Sequence, residues 1–182
     1  MRRKLLIAAA ILAAIAAVLV IIIAVQPSSF RVARSATMAA PPAVVFAQVN
    51  DFQKWQAWSP WAKLDPAAKN TFEGPAAGTG AIFRWAGNND VGEGKMTIVE
   101  SRPRELVRFR LEFYKPMAGI CDAEFTFKPV GDQTTVAWTM TGRNNFIAKA
   151  MCLAMDMDQM VGGQFEKGLA SIKSIVEATP QP

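Results

Sequence analysis

Two hydrophobic patterns divide this chain. Leu5 to Val25 is an unbroken apolar run of 21 residues. From Phe30 onward, apolar and polar positions begin to alternate. A period of two is the mark of a strand with one covered face. It predicts strands over Phe30–Met38, Asn70–Glu73, Ala81–Trp85, Gly92–Arg102, Glu105–Lys115, Ile120–Lys128 and Gln133–Thr141. In the clearest of them Val107, Phe109, Leu111 and Phe113 face one way, and Arg108, Arg110 and Glu112 the other. In the next, Cys121, Ala123, Phe125 and Phe127 lie opposite Asp122, Glu124, Thr126 and Lys128. Arg34 interrupts the apolar face of the first strand. Glycine-rich and proline-containing turns separate the segments. Clean alternation implies an antiparallel sheet with one wet face.

Helical spacing appears elsewhere. Met157–Glu177 repeats Met157, Val161, Phe165, Leu169 (or Gly168), Ile172 and Val176 on one face. A shorter helix is expected over Phe146–Leu153. Gly162-Gly163 interrupts the long helix at a cost of roughly 1 kcal/mol per glycine. That implies close approach to the sheet or room for a ligand. Pro41-Pro42 suits a helix start, because a first-turn proline gives up an N–H that has no partner there. Asn50-Asp51 ends that helix and caps a second one. Trp55 and Trp58 share a face of the second, and Pro60 stops it. With Trp61, three tryptophans stand within seven residues. They plug one end of a core, or they also line the mouth of a cavity.

Ala40-Pro41-Pro42, Val45-Phe46, Val49-Asn50-Asp51 and Trp55 to Trp61 with Ser59-Pro60 resemble the opening of the START-like (SRPBCC) superfamily, in its polyketide cyclase/dehydrase and lipid transport branch. The resemblance runs to about Glu177. It implies an α+β helix-grip fold, with a curved antiparallel sheet of about seven strands wrapped around the long C-terminal helix and a cavity between them. Such cavities are apolar with few polar groups. The expected lining is Trp58, Trp61, Phe83, Trp85, Phe109, Phe113, Phe125, Trp138 and Met140, with Met157, Met160, Val161 and Phe165 from the helix. Each of these also suits ordinary core. Met151, Met155, Met157 and Met160 crowd together and suit gap filling or a flexible gate.

The apolar run is long enough, at 1.5 Å per residue, to cross a hydrocarbon layer of roughly 30 Å. A secretory signal has an apolar region of only about 7–15 residues, and Ala24-Val25-Gln26-Pro27 offers no good cleavage site. The reading is an uncleaved single-pass anchor, with a cleaved signal as the alternative. Arg2, Arg3 and Lys4 keep the N-terminus in the cytoplasm, and Arg31 and Arg34 argue weakly the other way. The expected division is a cytoplasmic N-terminus (1–4), a transmembrane anchor (5–25), a linker (26–29) and a START-like ligand-binding domain (30–179). The last lies on the periplasmic or extracellular side of the cytoplasmic membrane.

Composition changes the picture in three respects. Lys and Arg outnumber Asp and Glu by 20 to 15 in 182 residues, but without Arg2, Arg3 and Lys4 the balance is 17 to 15. That excess is too small to suggest nucleic acid. There is no histidine, which removes the commonest general base and most zinc sites. No cofactor or metal is expected. The two cysteines, Cys121 and Cys152, read as free thiols, with pairing in an oxidising compartment as the other option.

The expected function is a membrane-tethered domain that binds a hydrophobic small molecule or lipid. A cyclase-like or hydrolase-like enzyme is the alternative and needs a carboxylate inside the cavity. Asp122, Glu124 and Glu112 fall on the outer face, which leaves Glu100 and Glu73 the least excluded. A protein-interaction module is the third reading, and an exposed apolar patch would favour it.

Overall fold

The computed structural model describes residues 2–154 and 156–178. Met155 of the methionine cluster and residue 179 of the expected domain lie outside the described residues. A helix α1 (Arg2–Val25) leads into β1 (Ser29–Met38), α2 (Pro42–Val49) and α3 (Trp55–Trp58). The strands β2 (Lys69–Glu73), β3 (Ile82–Ala86), β4 (Glu93–Arg102), β5 (Leu106–Lys115), β6 (Gly119–Val130) and β7 (Gln133–Arg143) follow. Two helices close the chain, α4 (Phe146–Ala154) and α5 (Met157–Ala178). All seven strands form one antiparallel sheet in the order β1-β7-β6-β5-β4-β3-β2. The α+β helix-grip architecture and its single apolar N-terminal helix are therefore as expected, with every strand end within two residues of the alternation reading.

The start of α2 and the turn that leads into α3 have local causes. Pro41 and Pro42 stand at the beginning of α2. Asp51 caps the short turn before α3 by accepting the Gln53 N–H at 2.9 Å. Trp55 and Trp58 then pack against each other at a tilt of 48°, with ring centroids 4.5 Å apart. Their indole N–H groups donate back to the Val49 and Gln48 carbonyls, at 2.8 and 3.0 Å. Two large rings are thus buried without an unpaired donor.

The covered face of the sheet meets α2, α3 and α5. Met38, Val45, Val49, Val107, Phe125, Val136, Ile172 and Val176 are fully buried at one end of this layer. Phe165 of α5 lies flat on Trp138 of β7, centroids 4.0 Å apart and planes 8° apart. Gly168 permits that approach, because a Cβ there would sit 2.8 Å from the Trp138 ring. Gly162 has a different use. A Cβ at Gly162 would collide with the Arg34 guanidinium. Arg34, the residue that breaks the β1 pattern, lies against this bare stretch of helix and pairs with Asp158 at 2.8 Å and Glu166 at 2.7 Å.

The other face carries a ladder of cross-strand ion pairs. Lys95 pairs with Glu112, Arg108 with Glu100 and Glu124, Arg110 with Asp122, and Arg84 with Glu73. Opposite charges at facing positions support strand pairing. Cys121 and Cys152 are free thiols, both half-buried.

Candidate functional site

A step in side-chain size makes the site. Along the covered face of β6, the residues run Phe127, Phe125, Ala123, Cys121. The sheet register sets Ala123 between Met140 and Phe109, and Cys121 between Gly142 and Leu111. One row further out, Gly94 faces Phe113. Bulky residues thus give way to small ones toward one end of the sheet. Under them lies an apolar cavity of about 450 Å³, within the usual range for small-molecule sites.

Its floor is Phe83, Trp85, Met96, Leu111, Phe113, Cys121, Ala123, Trp138 and Met140, with Phe30 at the β1 side. Its roof is Trp55, Ser59 and Trp61, joined by Met157 and Val161 from the first turns of α5 and Ala148 from α4. Three connections ring the mouth: Asn89–Gly92 between β3 and β4, residues 115–119 between β5 and β6, and Arg143–Asn145 between β7 and α4.

Of the residues expected to line a cavity, Trp61, Phe83, Trp85, Phe113, Trp138, Met140, Met157 and Val161 come together around it. Trp58, Phe109, Phe125 and Phe165 do not. All four are fully buried in the packed end. Trp55 stands over Phe109 and Phe125, at centroid distances of 5.3 and 6.1 Å, and shields them from the open space. Phe165 is covered by its stack on Trp138. Met160 points outward and is 47% exposed. Trp55, one of the three tryptophans that the sequence offers for a cavity mouth, also lines it, as do Phe30, Met96, Leu111, Ala123 and Cys121, which the pattern does not single out. The usable signal was the run of small residues on β6, since space is made by what is missing.

Polar groups are few inside. The Trp85 N–H donates to the Val91 carbonyl at 3.2 Å. Among the described residues, the Trp61 and Trp138 N–H groups have no protein acceptor. Burial, and secondarily Asp122, pushes the Cys121 thiol above its ordinary value. Asp65 reaches the cavity wall, but its carboxylate accepts the Asn88 N–H at 2.7 Å and the Ala67 N–H at 3.0 Å, which fixes two turns. Glu73 and Glu100, the least excluded carboxylates by pattern, lie on the outer face in pairs with Arg84 and Arg108. The hydrogen bond from Arg84 holds Glu73 below the usual carboxylate range. Among the described residues, no group of three or more His, Cys, Asp or Glu is placed to hold a metal ion.

Residues 29–177 match the model of the family described as polyketide cyclase/dehydrase and lipid transport. A search of the curated proteins gave no match. Solved structures agree on the fold. The Zhui aromatase/cyclase from Streptomyces sp. R1128 superimposes with a TM-score of 0.60 at 16% identity, over 82% of this chain and 94% of that one. The di-domain aromatase/cyclase BexL from the BE-7585A biosynthetic pathway gives 0.61 at 16% identity, over 88% and 54%. The Aha1 dimer from Colwellia psychrerythraea gives 0.59 at 16% identity, over 82% and 97%. At these identities the likeness is one of fold.

Proposed function

The chain belongs to the polyketide cyclase/dehydrase and lipid transport family, and we propose that it binds one hydrophobic small molecule or lipid tail in the cavity while α1 tethers it to a membrane. The observation that carries this reading is the cavity itself: about 450 Å³, walled by aromatic, methionine, alanine and cysteine side chains. The Trp61 and Trp138 N–H groups are available to a ligand oxygen, the small polar element that orients an apolar guest.

The tether reading rests on α1. Within its 24 residues, an 18-residue stretch reaches a mean hydropathy of 3.3, and none of that stretch is buried inside the protein. An apolar helix that the protein leaves exposed along its length, with only its last turns beside α4, is suited to lipid. The division we propose is a cytoplasmic N-terminus (1–4), a span (5–25), a linker (26–29) and a ligand-binding domain (30–179) on the far side of the membrane. Holding the cavity a few residues from the bilayer raises its encounter rate with ligands dissolved there.

Structural neighbours named as aromatase/cyclases point to the alternative of catalysis on a bound polyketide. Binding is favoured over it because Glu73, Glu100, Glu112, Asp122 and Glu124 are paired with cations on the outer face. Of the two carboxylates at the cavity wall among the described residues, Asp65 is engaged by two backbone N–H groups, and Asp90 stands exposed in the turn at the mouth rather than inside. Native mass spectrometry of the detergent-extracted full chain, followed by solvent extraction, tests the reading. The expected result is one apolar adduct per chain. An adduct-free mass, together with no uptake of the neutral fluorophore N-phenyl-1-naphthylamine, overturns it.

A further inference from the structure

The register of the sheet places the cavity mouth and the end of α1 together. β1 begins at Ser29, which pairs with Arg143 at the end of β7. Cys121 near the start of β6 faces Gly142, Gly119 faces Phe113, and Glu93 at the start of β4 faces Lys115. All the turns that ring the mouth therefore leave the same end of the sheet that Ser29 enters. Only residues 26–28 separate Ser29 from α1, a reach of at most about 10 Å.

That short connection is pinned. The Asn144 N–H donates to the Ser28 carbonyl at 3.0 Å, and Lys149 Nζ on α4 donates to the Ala24 carbonyl at 3.0 Å. α4 packs beside α1, yet its apolar residues Phe146, Ile147 and Leu153 are 50, 61 and 46% exposed. Ile120, in the mouth, is 60% exposed. The turn between β4 and β5, at the opposite end of the sheet, carries the exposed charges Arg102, Arg104 and Glu105.

We propose that the mouth end of the domain beds in the surface of the membrane that α1 spans, with α4 lying in the headgroup layer and Ile120 dipping beside it, so that the cavity opens onto lipid. The inference rests on α1 being a membrane anchor. The bilayer is the occupant of this apolar surface because the surface is continuous with the end of the span. A short helix with exposed apolar residues suits an interface, where such faces sit about 5–10 Å deep. Arg143, exposed at the same level, meets headgroup phosphates there. Ligand would then pass between bilayer and cavity without crossing bulk water.

The test uses the full chain in phosphatidylcholine vesicles, with Cys121→Ala and Cys152→Ser removing the native thiols. Nitroxide labels are placed singly through Ile120→Cys, Ile147→Cys, Val130→Cys and Leu12→Cys. Collisional access to a water-soluble nickel chelate is measured at each. Val130, exposed at the far end of the sheet, reports bulk water, and Leu12 reports the span. The expected result is access roughly fivefold lower at 120 and 147 than at 130, as fits burial below the phosphates. Labels at 120 and 147 that match 130, beside a protected label at 12, overturn the proposal and leave the anchor standing. A label at 12 as open as that at 130 removes the anchor and the proposal together. The ligand reading stands or falls separately, on the adduct measurement.

Discussion

Ala123→Leu distinguishes an open cavity from ordinary core by the sign of its effect. Ala123 is 4% exposed and lines the cavity floor on β6. Leucine adds three carbons there. Each buried methylene contributes about 0.8 kcal/mol, or about 2.4 kcal/mol in all. Ordering the longer side chain costs about 0.5–1 kcal/mol, which leaves a net gain of about 1.5 kcal/mol. At about 2–4 °C per kcal/mol for a chain of this size, Tm should rise by about 3–6 °C. Were the space already filled, the same change would overpack the interior at a cost of about 1–3 kcal/mol, and Tm would fall. The assay is thermal melting of the ligand-stripped full chain in detergent micelles, followed by near-ultraviolet circular dichroism. N-phenyl-1-naphthylamine affinity is measured in parallel and should weaken about tenfold, or about 1.4 kcal/mol, as leucine takes up room. A lowered Tm with unchanged dye affinity would refute the reasoning, because it would mean that Ala123 is packed and the guest sits elsewhere.

Other perturbations separate structural from ligand-facing roles. Trp55→Ala should destabilise by about 3–5 kcal/mol, since Trp55 is 5% exposed and touches Phe52, Trp58 and Phe109. Trp61→Ala should cost less stability but weaken dye binding, as paired denaturant and fluorescence titrations would show. Gly168→Ala drives a methyl into the Trp138 ring and should cost about 1–3 kcal/mol, read as a drop in Tm with loss of the Trp138 near-ultraviolet signal. Acid should loosen α5. Arg34 lowers the Asp158 carboxyl, while the Ala39 N–H and Lys173 lower Glu177. Groups depressed in the folded state stabilise above their unfolded values of about 4, and lose that contribution as pH falls through the folded ones. Amide exchange in α5, corrected for intrinsic rates, should therefore accelerate below about pH 4. Arg34→Gln should flatten that dependence by removing the partner of Asp158.

The strands were legible in the sequence because alternation is a property of each residue and its neighbours. Glu105–Lys115 needed no tertiary information to read as half-covered. The position of the cavity was less legible, because it depends on which row of the sheet is left unfilled. Pattern assigned Phe109, Phe125 and Phe165 to the lining because they face inward, yet facing inward does not distinguish packed space from open space. That depends on Trp55 covering two of them and Trp138 the third. The role of Arg34 was hidden for a similar reason. As a charge on the apolar face of the first strand it read only as an interruption of that face. Its partners lie more than 120 residues away, at Asp158 and Glu166. Gly162-Gly163 suggested close packing on the sheet or ligand room; at Gly162 it is close packing, against the Arg34 side chain of β1.

The pairing of the first strand with the last sets the order of assembly. Partners in the β1 and β7 ladder lie between 96 residues apart, at Met38 and Thr134, and 114 apart, at Ser29 and Arg143. β1 is made first and has no strand to join until nearly the whole domain has followed it. Long-range pairing of this kind is slow, and an unpaired edge is open to aggregation meanwhile. Arg31 and Arg34 place two positive charges in the waiting strand, a pattern that discourages wrong partners. Arg34 then becomes the tie to α5 once the last helix arrives. One side chain thus guards the nascent edge and later fastens the finished fold.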